Sequence, residues 1–86
     1  MDKEKMELLD PKRNDKTYIK IGWNIAFYRK ARGLTQMQLA ELAGLSRTFM
    51  GHIEASKMPV SMSLETLLDI SRALEIEPYK LFEFKT

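Results

Sequence analysis

The 86-residue chain contains no cysteine. That one absence removes a disulfide scaffold, a cysteine-ligated zinc site and a thiol nucleophile together. Such staples are usually needed below about 40 residues; a longer chain can hold a core without them. Histidine occurs once, as His52, so a metal site would have no second imidazole to draw on. No stretch approaches the roughly 20 apolar residues that span a bilayer, and no membrane partner is expected. The start, Met1-Asp2-Lys3-Glu4-Lys5, leads into no apolar segment. An export signal is therefore not expected, and the expected location is cytoplasmic. No phosphate loop and no catalytic constellation can be read, which speaks against an enzyme and against a bound cofactor.

What is present is ordinary for a folded domain: 44% hydrophobic and 30% charged residues, enough apolar content to exclude disorder of the whole chain. The length allows one domain. The net charge of +2 is mild, but its distribution is uneven. Residues 18–60 carry six cations against two carboxylates, and residues 61–86 carry three against five. A basic half suits a polyanionic partner, although chance clustering of surface charge gives the same count. Residues 1–17 carry five charges of each sign and do not form a basic arm. They read as a tail with room for one helical turn at Met6-Glu7-Leu8-Leu9.

Residues 18–86 read as an all-α domain of five helices. The first helix is expected from Tyr18 to Arg32, with Ile21, Ile25 and Tyr28 on one face and Trp23 and Phe27 on another. Cations in its last turn and Gly33 just beyond form a stop signal. The second opens at Thr35, with Gln38 three residues on in the capping-box pattern. Leu39, Leu42 and Ala43 are its expected buried stripe. Only Gly44 and Leu45 precede the third helix, which Ser46 caps and whose inward face is Met50 and Ile53. The fourth starts near Ser63, with Leu64, Leu67, Ile70 and Leu74 inward. Pro78 suits the first turn of a short fifth helix, Pro78 to Phe82. Phe82 and Phe84 are expected to close the core, and Phe84 has the alternative of reaching a second subunit.

Two helices joined by so short a glycine-containing turn present one face of the second helix outward: Arg47, Thr48, Gly51 and His52, with Phe49 at the flank. Short and basic side chains at a helix N-terminus can enter the DNA major groove. Arginine can bond a guanine edge bidentately, and threonine can meet a base or a thymine methyl. Gly51 keeps that surface low. The run Thr35-Gln36-Met37-Gln38-Leu39-Ala40-Glu41-Leu42-Ala43-Gly44-Leu45-Ser46-Arg47-Thr48-Phe49-Met50-Gly51-His52-Ile53-Glu54 resembles the helix-turn-helix of the Cro/C1 (phage-repressor, XRE-type) family. The likeness runs from Tyr18 to Phe84, and it implies a lambda-repressor-like fold. It further implies that Gln36 bonds a phosphate and braces the recognition helix. Arg47, Thr48 and His52 match positions that read base edges, Phe49 one that meets the sugar-phosphate backbone, and Lys57 a loop cation near phosphate. Ser46, at the N-terminus of the recognition helix, counts with them. Arg29 and Glu54 match a partly buried, structural ion pair. The chain departs from the family in having Ser56 where glycine is usual, and in a loop, Lys57 to Ser63, about two residues longer than usual.

Simpler readings stand beside these. His52 and Arg47 could be solvated surface residues. Thr35 and Ser46 read as caps, not nucleophiles. Glu65 and Asp69 read as a solvated helix face, and the six methionines as gap-fillers. Trp23 and Phe27 either pack under the N-terminal segment or face a partner. The expected partner is double-stranded DNA, bound by a homodimer because one recognition helix reads only a few base pairs; the acidic C-terminal half is the expected interface. The alternative is an antitoxin-like or adaptor role with a small protein partner. A controller of a restriction-modification operon would be biochemically equivalent to the first reading.

Overall fold

The structure, a computed structural model, describes residues 2–55 and 57–84, with Glu7 as backbone only. Ser56, one of the two departures from the family pattern, lies outside the described residues. Helix α1 spans Lys3–Leu8, α2 Asp15–Ala31, α3 Gln36–Ala43, α4 Arg47–Glu54 and α5 Leu64–Leu74, and a 3₁₀ helix follows at Pro78–Phe82. No strand occurs among the described residues. None of these helices is long and apolar enough to cross a membrane. Helix α2 starts three residues before the expected Tyr18. Its first turn, Asp15-Lys16-Thr17, has no apolar periodicity to mark it, but Asp15 there favours the positive end of the helix dipole.

Local chemistry sets the ends of α3 and α4. The Thr35 hydroxyl accepts from the Gln38 backbone N–H at 3.1 Å, and the Gln38 side chain accepts from the Thr35 N–H at 2.8 Å. Two of the donors that a helix start leaves free are thus satisfied. Gly44 closes α3 in the left-handed region at φ 71°, where a side chain would be strained. Leu45 N–H then reaches back to the Ala40 carbonyl at 2.8 Å. The chain has turned within two residues when Ser46 accepts from Phe49 N–H and starts α4.

The core gathers Ile21, Ile25, Leu39, Ala40, Ala43, Met50, Ile53, Met62, Leu67, Ile70, Leu74 and Leu81. Three expected core residues are not in it. Leu42 is 61% exposed, because Leu39, Ala40 and Ala43 share one arc of α3 and Leu42 lies about 100° from its centre. Leu64 is 68% exposed: it is the first residue of α5, and side chains lean toward the helix N-terminus, here off its open end. Phe82 is 47% exposed, while Leu81 is fully buried. A 3₁₀ helix repeats every three residues, so Leu81 and not Phe82 shares the face of Pro78. Phe84 does pack against the core.

Gly22 is where α2 and α4 approach most closely. A Cβ there would overlap the backbone carbonyl of Ile53, so the crossing depends on glycine. The C-terminal segment is tied to α2 by Asn24, whose amide donates to the carbonyls of Leu81 at 2.9 Å and Glu83 at 3.1 Å. Arg32 joins the end of α2 to the end of α5, donating to the Ala73 carbonyl at 3.2 Å and pairing with Glu75 at 3.0 Å.

Candidate nucleic-acid interface

Helix α4 divides into two faces. Met50 and Ile53 are buried and hold it to the bundle. Arg47, Thr48 and His52 are exposed, with Gly51 among them. At about 100° per residue these four positions occupy one arc, opposite the buried pair. Phe49 sits between the faces and packs partly against the core. The Ser46 hydroxyl oxygen caps the helix by accepting from Phe49 N–H, which leaves its O–H as a donor. Arg47 takes part in none of the ion pairs among the described residues, so its guanidinium is free to meet an anion or a base edge. Lys57 is exposed in the turn that follows α4, three residues beyond Glu54. The structure thus brings Arg47, Thr48 and His52 together on one face of α4, while Lys57 lies in the turn after it.

The face is held in place by Glu54, the last residue of α4. Its carboxylate accepts from Arg29 Nε at 2.7 Å, Arg29 Nη2 at 2.9 Å and Gln36 Nε2 at 3.1 Å. Arg29 Nη1 donates in addition to the Leu34 carbonyl at 2.7 Å. The two charged side chains are only 12% and 4% exposed. Buried ions are costly unless their bonding is complete, and here a bidentate fork and a third donor complete it. The network joins α2, the start of α3 and the end of α4. Gln36 is therefore committed at one end to the fold, while it stands beside the outward face of α4 at the other.

Among the described residues no group of three or more acidic or histidine side chains converges in a way that could hold a metal ion. A surface with free donors, one cation at its head and a rigid buried brace can read hydrogen-bond acceptors.

A helix-turn-helix family model matches residues 25–81, a span that includes the brace, the turn and the exposed face. The chain belongs to the helix-turn-helix family of DNA-binding regulators. Control protein C.SmaI of Serratia marcescens is 40% identical over 58 residues, 67% of this chain and 67% of that protein. The immunity repressor protein of Bacillus phage phi105 is 44% identical over 57 residues, 66% of this chain and only 38% of the repressor's length. Among solved structures, the restriction-modification controller protein C.AhdI from Aeromonas hydrophila superposes with a TM-score of 0.72 at 37% identity, covering 78% of this chain and 98% of that one.

In this helix-turn-helix protein the N-terminal residues before α2 lie outside the family match. Trp23 and Phe27 are 50% and 64% exposed, so the N-terminal segment does not bury them. They line a shallow groove with Lys20, Tyr28, Glu83 and Phe84. Sequence reasoning passed over Asn24 and Arg32, the two side chains that tie distant helix ends together. A single polar residue leaves no periodic signal, and both of their partners are backbone carbonyls more than 40 positions away.

Proposed function

We propose that this protein is a sequence-specific transcription regulator that binds a palindromic operator as a homodimer, with α4 in the major groove. The observation that carries the reading is the exposed arc of Arg47, Thr48 and His52 on a helix braced at its far end by buried Glu54. Arg47 and Thr48 read base edges near the helix start, with His52 one turn further on. Gln36, Ser46, Phe49 and Lys57 contact the sugar-phosphate backbone. One such helix spans only a few base pairs, so useful specificity calls for two copies on half-sites one helical turn apart. The acidic C-terminal half is the dimer surface, and Leu64, Tyr79 and Phe82 are exposed on it. Likeness over 98% of C.AhdI favours a controller-type regulator, with its operator beside restriction and modification genes.

The test is selection of bound duplexes from a random pool, at two salt concentrations, for the wild type and Arg47→Ala. The wild type enriches a palindrome. Arg47→Ala loses about 1–3 kcal/mol of binding and blurs one position in each half-site. Weak binding that vanishes as salt rises, with no enriched sequence, would refute the reading.

The exposure of Trp23 and Phe27 favours a second reading, a small protein partner seated on α2. Co-purification of one defined protein, lost on Trp23→Ala, would support it.

A further inference from the structure

Three of the four glycines are required by the backbone. Gly33 and Gly44 have φ of 72° and 71°, and Gly22 faces the Ile53 carbonyl. Gly51 is different. It lies inside α4 at helical dihedrals, where glycine is a poorer choice than alanine. A Cβ on it would meet no backbone of another element. It would meet two side chains of the reading surface: Arg47 Nη1 at 3.1 Å and Gln36 Oε1 at 3.7 Å.

We propose that Gly51 is a positioning residue for DNA reading: its bare Cα is the seat on which the Arg47 guanidinium rests. The inference rests on the DNA-reading role of Arg47 proposed above. Arg47 and Gly51 are one turn apart, and a methyl at 51 would push the arginine tip off this seat by a few tenths of an ångström. Gln36 Oε1 would meet that methyl only in ordinary van der Waals contact, and Glu54 holds its Nε2 in place. Glu54 in turn is held by Arg29. The buried ion pair therefore fixes the Gln36 amide beside the same glycine. A guanidinium laid against the glycine's bare backbone has fewer orientations open to it than one extended into solvent. Fewer orientations mean less freedom lost when it meets a guanine edge. Gly51 makes this possible at a cost to the helix.

The experiment is a double-mutant cycle on full-length protein with Gly51→Ala, Arg47→Ala and the double variant. Operator affinity, base preference from a random pool and thermal stability are read for each. Gly51→Ala is expected to melt no lower than wild type, yet to bind about ten-fold or more weakly and to blur the same base position as Arg47→Ala. In the Arg47→Ala background it should change nothing further, which is the signature of action through Arg47. An equal loss in both backgrounds would show that the new methyl meets the DNA itself, and would overturn the proposal. So would unchanged affinity and preference in Gly51→Ala. The Arg47 side-chain Nε–H signal in the free protein provides a readout that needs no DNA: it should shift in Gly51→Ala. If it shifts while the wild type enriches no sequence, the seat stands and the operator reading fails. If it does not shift, the seat itself is refuted.

Discussion

At Gly22 a single added methyl group should act very differently from the same methyl at Gly51. Gly22→Ala places a carbon against the Ile53 carbonyl, part of the helical backbone, which cannot rotate aside. Alanine's better helix propensity returns about 1 kcal/mol, but forcing α2 and α4 apart costs more. The expected result is a net loss of about 2 kcal/mol, measured as a lower midpoint of urea unfolding at unchanged slope. Spacing along the chain could not show this. Gly22 is 31 positions from Ile53, and nothing in the run Ile21-Gly22-Trp23 says which helix crosses there. The exposed residues of α4 were legible for the opposite reason. Arg47, Thr48 and His52 lie on a helix whose buried residues are Met50 and Ile53, and the helical repeat over its 8 residues suffices to separate the two faces.

Helices α2, α3 and α5 all stop in the same way. The residue after the stop sends its N–H back five positions: Leu34 to Arg29, Leu45 to Ala40 and Ile76 to Ser71. The turn residue is glycine in the first two and Glu75, at φ 57°, in the third. Gly33 and Gly44 therefore announced their helix ends, while Glu75 gave no signal. A left-handed non-glycine residue costs about 1–2 kcal/mol, and glycine loses part of that gain through its freer unfolded chain. Glu75→Gly should raise stability by about 0.5–1 kcal/mol in thermal unfolding. The lost pair with Arg32 subtracts little, because the Glu75 side chain is 74% exposed. A lower melting temperature would mean that the Glu75 carboxylate contributes more than an exposed ion pair does. The 3₁₀ helix shows the same limit of local reading. Pro78 marked where it begins, but only its tighter repeat decided that Leu81 goes inward and Phe82 outward.

For the whole molecule, the extents of 48 × 25 × 22 Å describe an elongated shape, and the radius of gyration of 14.0 Å exceeds the roughly 12 Å of a compact chain this long. Its apolar residues are not all used internally. Tyr79 and Phe82 stand 58% and 47% exposed on the acidic half, opposite in charge to the half that carries α4. If that half is the dimer surface, Tyr79→Glu combined with Phe82→Asp should give a monomer by sedimentation equilibrium at concentrations where the wild type is a dimer. It should also weaken operator binding without changing which bases are preferred. A wild type that stays monomeric with and without DNA would refute the homodimer. Local spacing was enough to place the helix-turn-helix, its caps and its outward face, because capping and amphipathic periodicity act within three or four residues. The family likeness supplied the Arg29–Glu54 pair. Tertiary structure alone decided that Leu42, Leu64 and Phe82 stay outside while Leu81 goes in, that Gln36 shares the Glu54 carboxylate, and that Gly51 lies under Arg47. Each of these depends on what a neighbouring element covers or leaves open, and packing between elements is not written in the spacing of any one of them.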